Sequence, residues 1–181
     1  MNVKVAYLDR DGTINVDPGY LSDPRDFRFC EGAIEGLRCL QMLGLDLVVI
    51  TNQSGVSRGY FEIETLEAIN ARMCALLAEE GVTLAGIYYC PHGPEDGCDC
   101  RKPKPGMIMK AEERLGRRPG VMIGDSVCDI EAGNARDLMT IRIADCDAID
   151  ASDGGPNHIV TSLAEAASWL AKKMKVGQLF Q

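Results

Sequence analysis

The sequence predicts an α/β fold, with helices on both faces of a mostly parallel sheet, and three observations predict it. Short apolar runs of strand length alternate with longer stretches of helical period along most of the 181 residues. Glycines stand where helical stretches should stop, at Gly44 and Gly81. Residues able to do chemistry stand just beyond apolar runs, at Asp9, Thr51 and Asp125, and open parallel sheets gather their chemistry outside the carboxyl ends of their strands. Together these give a Rossmann-like three-layer sandwich, one domain over 1–181, with no large cap domain.

The first strand is expected over Val3–Leu8, an apolar, partly β-branched run that breaks into Asp9, Arg10, Asp11, Gly12 and Thr13. Pro18 and Gly19 mark a turn in a segment too short for a separate cap, yet near enough to Asp9 to wall a pocket. Ala33–Leu43 places Ala33, Ile34, Leu37, Leu40 and Leu43 on one helical face and feeds a strand at Leu45–Ile50. Ile63–Glu80 is an amphipathic helix with Leu66, Ile69, Met73, Leu76 and Leu77 inward, followed by a strand at Ala85–Tyr89. Further helices are expected over Met107–Leu115, Asp129–Arg136 and Leu163–Met174, and strands over Gly120–Ile123, Leu138–Ala144 and Ile159–Val160. Asp145–Pro156 is polar and reads as a loop, and Lys175–Gln181 as a fraying end.

Composition narrows the function. Apolar residues make up 46% of the chain, ordinary for a soluble domain with a sizeable core. A formal charge of -8 argues against a nucleic-acid partner, because phosphate backbones are bound through basic patches. No stretch reaches the roughly 18 apolar residues of a membrane span, and the chain opens directly on a strand, so a cytoplasmic protein without a signal segment is expected. With only two histidines, His92 and His158, acid–base work falls mainly to carboxylates.

Eight cysteines without a secretory segment do not read as a disulfide framework. Cys30, Cys39, Cys74, Cys128 and Cys146 are scattered and expected to be reduced, whereas Cys90, Cys98 and Cys100 are bunched around His92. In extended chain, residues two apart point the same way, so Cys90 with His92 and Cys98 with Cys100 form two claws. Three thiolates and one imidazole make a closed tetrahedral zinc set with no position left for water, hence a structural metal. The alternatives are free thiols or a disulfide, and Cys98 with Cys100 is a poor geometric match for mutual bridging.

The second claw runs into Arg101, Lys102, Pro103 and Lys104, cations with an apparent purpose in an acidic chain. The planar fork of Arg101 suits phosphate or hydroxyl oxygens. Asp9 and Asp11, two residues apart at a strand end, disfavour each other as anions, and a bound divalent cation relieves that; hard oxygen ligands suit magnesium. Thr51 with the turn Asn52, Gln53 and Ser54 offers a hydroxyl and backbone N–H groups to phosphate oxygens.

The string Asp9-Arg10-Asp11-Gly12-Thr13 resembles the first motif of the haloacid-dehalogenase-like phosphatases; Thr51, Lys102 and Gly124-Asp125 with Asp129 match the other three. The resemblance implies that Asp9 is the nucleophile, that Asp11 is the general acid and base, and that Thr51 and Lys102 hold the transferring phosphoryl group. It also implies that Asp125, Asp9 and the Asp11 backbone carbonyl bind magnesium, with Asp129 steadying the site from behind. The zinc claws, Gly19-Tyr20, Thr51 to Gly55 and Cys100 to Pro103 together resemble the D-glycero-D-manno-heptose 1,7-bisphosphate phosphatases and their relatives, the histidinol-phosphate phosphatases. Lys104 to Met107 favours the heptose branch, and the short gap between His92 and Cys98 pulls toward the histidinol side. The implied activity is removal of the 7-phosphate on the route to nucleotide-activated heptose for cell-surface polysaccharide, with Asp17, Gly19 and Tyr20 touching the sugar. Ser126 departs from the lysine that the heptose branch carries there, which puts substrate electrostatics in doubt but not the nucleophile. A small phosphorylated sugar and a monomeric protein are expected. A module that accepts phosphate on Asp9 without turnover is the alternative from another class, and Asp11 and the zinc-fixed loop argue against it.

Overall fold

Val5, Ala6, Tyr7 and Leu8 are all shielded from solvent, because the strand they form has neighbours on both edges and helices on both faces. The computed structural model describes residues 3–144 and 155–178, with side chains to 174. In chain order the elements are β1 (Val5–Leu8), a short 3-10 turn (Pro24–Asp26), α1 (Ala33–Met42), β2 (Asp46–Asn52), α2 (Ile63–Glu79) and β3 (Gly86–Cys90). There follow α3 (Gly106–Leu115), β4 (Gly120–Gly124), α4 (Val127–Asn134), β5 (Met139–Ile143), β6 (His158–Val160) and α5 (Leu163–Gln178). The strands lie in the order β3-β2-β1-β4-β5-β6, and every pairing is parallel.

Alternation along the strands divides the core. Ala6, Leu8, Leu47, Val49, Val121 and Ile123 pack with α1, α2 and α5, while Val5, Tyr7, Val48, Ile50 and Met122 pack with α3 and α4. The chain winds one way from β1 to β2 and the other way from β1 to β4, so a crevice opens at the carboxyl end of β1. That is where Asp9 stands.

Boundaries differ from the sequence expectations in ways that matter for the site. β1 begins at Val5, not Val3. β2 runs on through Thr51 and Asn52, and β3 through Cys90, because Thr51 pairs with Tyr89 and Asn52 with Cys90. α4 starts at Val127, ahead of the expected Asp129, because the Asp129 carboxylate folds back to accept the Ser126 N–H at 3.0 Å and closes the first turn. α5 continues to Gln178, where a fraying end was expected, and 179–181 lie outside the described residues. Most of the expected loop over Asp145–Pro156 (145–154), with Cys146, also lies outside them. The described cysteines are all free thiols, and no helix among the described residues is long and apolar enough to cross a membrane.

Candidate active site

The floor of the crevice is a buried lysine between carboxylates. Lys102 Nζ lies 2.8 Å from Asp9 Oδ1 and 2.5 Å from Asp129 Oδ1, and it donates to the Ile50 carbonyl at 2.8 Å, so its three protons have three acceptors. Asp9 Oδ1 also accepts the Arg10 N–H at 2.7 Å. Burial, then the neighbouring Asp129, push the Asp9 carboxyl up to about 7 against the pull of Lys102. Burial, then Asp9, push Asp125 up to about 6. Asp129 is raised by burial, with Lys102 opposing, whereas Lys102 is raised because Asp129 and Asp9 outweigh its own desolvation.

Oxygens of Asp9, Asp125 and Asp129 lie within 4.8 Å of one another, an all-oxygen set of the kind hard divalent cations take. A side chain at Gly12 or Gly124 would destroy the arrangement: a Cβ on Gly12 would lie 2.3 Å from Asp125 Oδ2, and one on Gly124 2.3 Å from Asp129 Oδ2. Asp129, wholly buried, meets Lys102 and the Ser126 N–H behind the cleft, and Asp11 presents its carboxylate elsewhere.

Asp11 is held by a ring of donors. Arg10 reaches it through Nη2 at 2.9 Å and Nε at 3.3 Å, Asn15 Nδ2 at 2.8 Å and Gln53 Nε2 at 2.6 Å. Gln53 Nε2 also donates to Thr51 Oγ1 at 2.8 Å, which leaves the threonine proton free for the cleft. Asn52, expected to meet substrate, also clamps the Lys102 backbone: Lys102 N–H donates to its Oδ1 at 3.0 Å and its Nδ2 donates to the Lys102 carbonyl at 3.1 Å.

Above this floor is a cleft of about 350 Å³ lined by every residue expected at the substrate or magnesium site: Asp9, Asp11, Asp17, Gly19, Tyr20, Thr51, Asn52, Gln53, Ser54, Arg101, Lys102 and Asp125. Gly55, from the expected Thr51 to Gly55 turn, and Ser126, expected to bear on substrate electrostatics, line it too, as do Leu21 and Cys128, which were not foreseen. Asp17 Oδ1 accepts the Gly19 N–H at 2.8 Å and shapes the turn, and Tyr20 stands edge-on to Tyr60 with ring centroids 4.6 Å apart. Arg10, Asn15 and Asn70 were also unforeseen; the only local sign of Arg10 was its place between two acids.

The two claws close on each other. Cys90 Sγ is 3.5 Å from His92 Nδ1, 3.6 Å from Cys98 Sγ and 3.1 Å from Cys100 Sγ, and His92 Nδ1 is 3.3 Å from Cys100 Sγ. Zinc–sulfur bonds of about 2.3 Å set tetrahedral edges of about 3.8 Å, so a small inward cluster of this kind fits zinc after slight expansion. Arg101 Nη1 donates to the His92 carbonyl at 3.1 Å, and Lys104 Nζ to the Cys98 carbonyl at 2.8 Å. The cluster therefore organises the loop that carries Arg101 and Lys102, while Lys104 serves the loop itself.

This geometry can be set beside known proteins. Residues 4–143 match the family profile described as polynucleotide kinase 3 phosphatase. The D-glycero-beta-D-manno-heptose-1,7-bisphosphate 7-phosphatase of Pasteurella multocida (strain Pm70) is 40% identical over 172 residues, 90% of this chain and 94% of that protein. That of Escherichia coli (strain K12) is 38% identical, covering 98% of each chain. The chain belongs to the heptose-bisphosphate phosphatase family. Among solved structures, the D,D-heptose 1,7-bisphosphate phosphatase from B. bronchiseptica, complexed with magnesium and phosphate, superposes with a TM-score of 0.86 at 32% identity, over 94% of this chain and 99% of that one. Membership in the heptose-bisphosphate phosphatase family bears out the haloacid-dehalogenase-like fold and the heptose side of the resemblance over the histidinol side.

Proposed function

We propose that this chain is a magnesium-dependent phosphatase that removes the 7-phosphate of D-glycero-β-D-manno-heptose 1,7-bisphosphate, carrying the phosphoryl group on Asp9. One observation carries the reading: Lys102 lies 2.8 Å from Asp9 at the floor of a polar cleft, with Asp125 and Asp129 grouped on the same carboxylate. Lys102 and the Arg10 N–H both engage Asp9 Oδ1, so Oδ2 is the attacking oxygen. It forms a bond to phosphorus as the bond from phosphorus to the sugar oxygen breaks. The electron pair stays on that oxygen, which takes a proton from Asp11. A water then attacks phosphorus and gives a proton to Asp11, and the pair from the breaking bond returns to the Asp9 carboxylate.

Asp9 and Asp125, with Asp129 beside them, would hold magnesium together with the Asp11 backbone carbonyl; bound there, the ion neutralises phosphoryl oxygens and crowded carboxylates alike. Lys102 and the Thr51 hydroxyl stabilise the same charge from the other side. Arg101, tied to the zinc loop, takes oxygens of the rest of the substrate, and Asp17, Gly19 and Tyr20 form the sugar wall. Zinc on Cys90, His92, Cys98 and Cys100 is structural.

In this reading 1–181 is a single catalytic domain, monomeric and cytoplasmic. A net charge of -8 supports a small sugar phosphate over a polynucleotide, despite the wording of the family profile. The test is phosphate release from the heptose bisphosphate, from histidinol phosphate and from a 3′-phosphorylated oligonucleotide, each with and without magnesium. Preference by orders of magnitude for either of the last two would overturn the substrate.

A further inference from the structure

The buried face of α2 consists of Leu66, Ile69, Asn70, Met73 and Leu77, so one amide interrupts an apolar stripe. Asn70 is 7% exposed, and its Oδ1 accepts from Arg10 Nη1 at 3.0 Å. Arg10 is itself only 1% exposed, and the far edge of its fork grips Asp11 through Nε and Nη2. Asp11 is its only carboxylate partner among the described residues. The Arg10 carbonyl meanwhile accepts N–H groups of Ile14 at 2.8 Å and Asn15 at 3.0 Å, which fixes the backbone of the turn but leaves the side chain to be aimed by something else.

We propose that Asn70, acting through Arg10, is a positioning residue for proton transfer by Asp11. A planar guanidinium held at one edge can present its other edge in only one orientation. Asn70 supplies that hold from a helix 60 positions away in the chain, and it does so without charge, so the Arg10 cation remains directed at Asp11 alone. A carboxylate so held can meet the sugar oxygen at one angle, as proton transfer in the transition state requires. The inference rests on the reading of Asp11 as the group that protonates the leaving oxygen when the phosphorus–oxygen bond breaks.

Leaving groups of different basicity separate this role from a merely structural one. A sugar alkoxide needs a proton as it departs; nitrophenolate, a weak base, does not. In Asn70→Ala, kcat/KM for heptose bisphosphate is expected to fall about 10- to 100-fold with little change in KM, while kcat/KM for nitrophenyl phosphate stays within about threefold. Asn70→Asp keeps an acceptor but adds a charge that competes with Asp11 for Arg10, so it is expected to lose sugar phosphate activity as the alanine variant does while sparing nitrophenyl phosphate. Asn70→Ser, with room for a water beside the guanidinium, gives the same comparison should the alanine variant fail to fold. Equal losses on both esters, no loss on the sugar phosphate, or an aspartate variant with wild-type activity on the sugar phosphate would each overturn the proposal. A wild-type protein inactive on both esters would overturn the phosphatase reading itself, and would be recognised before any variant is made.

Discussion

Replacing Lys102 by methionine keeps the length of the side chain and deletes its charge. In the intact protein that charge has three acceptors, at 2.8, 2.5 and 2.8 Å, and is 3% exposed, so nothing from solvent can replace it. Removing one member of a buried ion pair costs about 3–5 kcal/mol, since the partner is left charged and unpaired. Here part of that cost is relieved, because burial has already pushed Asp9 up to about 7, so uptake of a proton by Asp9 near that pH is cheap. A net loss of about 2–4 kcal/mol remains, which for a chain of this size lowers the melting temperature by roughly 5–15 °C without metal. Turnover suffers more than stability: one preorganised charge on a transferring group is worth about 10²–10³ in rate. The assay pairs steady-state phosphate release with thermal unfolding, each with and without magnesium. Magnesium should raise the melting temperature of Lys102→Met more than that of the wild type, since the variant leaves a more negative cluster. Turnover within threefold of wild type, or an unchanged melting temperature without metal, would refute the account of Lys102 as the counter-charge.

Other outcomes follow from the same structure. Without divalent ions the protein should lose stability as pH rises from about 4 to about 7. Asp9 and Asp125 have folded pKa values raised to about 7 and about 6, so their contribution is complete below the unfolded value near 4 and lost through the folded ones; excess magnesium should flatten the profile, and a denaturation series across pH checks it. Tyr7 is pushed to about 12 by burial and then by Glu112, so it stabilises fully below pH 10 and loses about 3 kcal/mol between pH 10 and pH 12. Because its hydroxyl is buried without a partner among the described residues, Tyr7→Phe should remove that alkaline loss and leave neutral-pH stability unchanged or about 1 kcal/mol higher. Cys98→Ser should lower bound zinc below one per chain and reduce turnover about 10- to 100-fold by loosening the loop that carries Arg101 and Lys102; metal analysis with kinetics tests both.

Much of the site could be read from sequence because strands buried on both faces are apolar runs, so the polar residue that ends each run announces itself. Asp9, Thr51 and Asp125 were legible in this way, and the zinc set was legible because its four ligands sit within one short loop. Side chains that act across the fold left no such trace. Asn52 lines the cleft as expected of a substrate group, but its bonds to the backbone of Lys102, 50 positions away, had no mark in the sequence. Asn70 is one polar residue in the buried stripe of α2, and nothing near it in the chain marks its bond to Arg10, 60 positions away. The start of α4 was misjudged for a local reason: Ser126, three residues before Asp129, is a helix-capping residue, and that spacing already implied a helix beginning at Val127 with the Asp129 carboxylate turned back toward the strand end.

These missed contacts share one physical consequence. Asp9, Asp125 and Asp129 would repel one another if all were ionised, and a single lysine cannot neutralise three carboxylates. Asn52 and the Ile50 carbonyl hold Lys102 in place from β2, and the zinc loop holds it from the other side, so its position does not depend on the carboxylates it serves. The surplus negative charge is therefore fixed in space before any ligand arrives, and it is discharged only by protons or by a divalent cation. The same preorganisation that would stabilise a transferring phosphoryl group also ties the stability of the folded chain to pH and to metal, which is why unfolding measurements can test the assignment of the site independently of turnover.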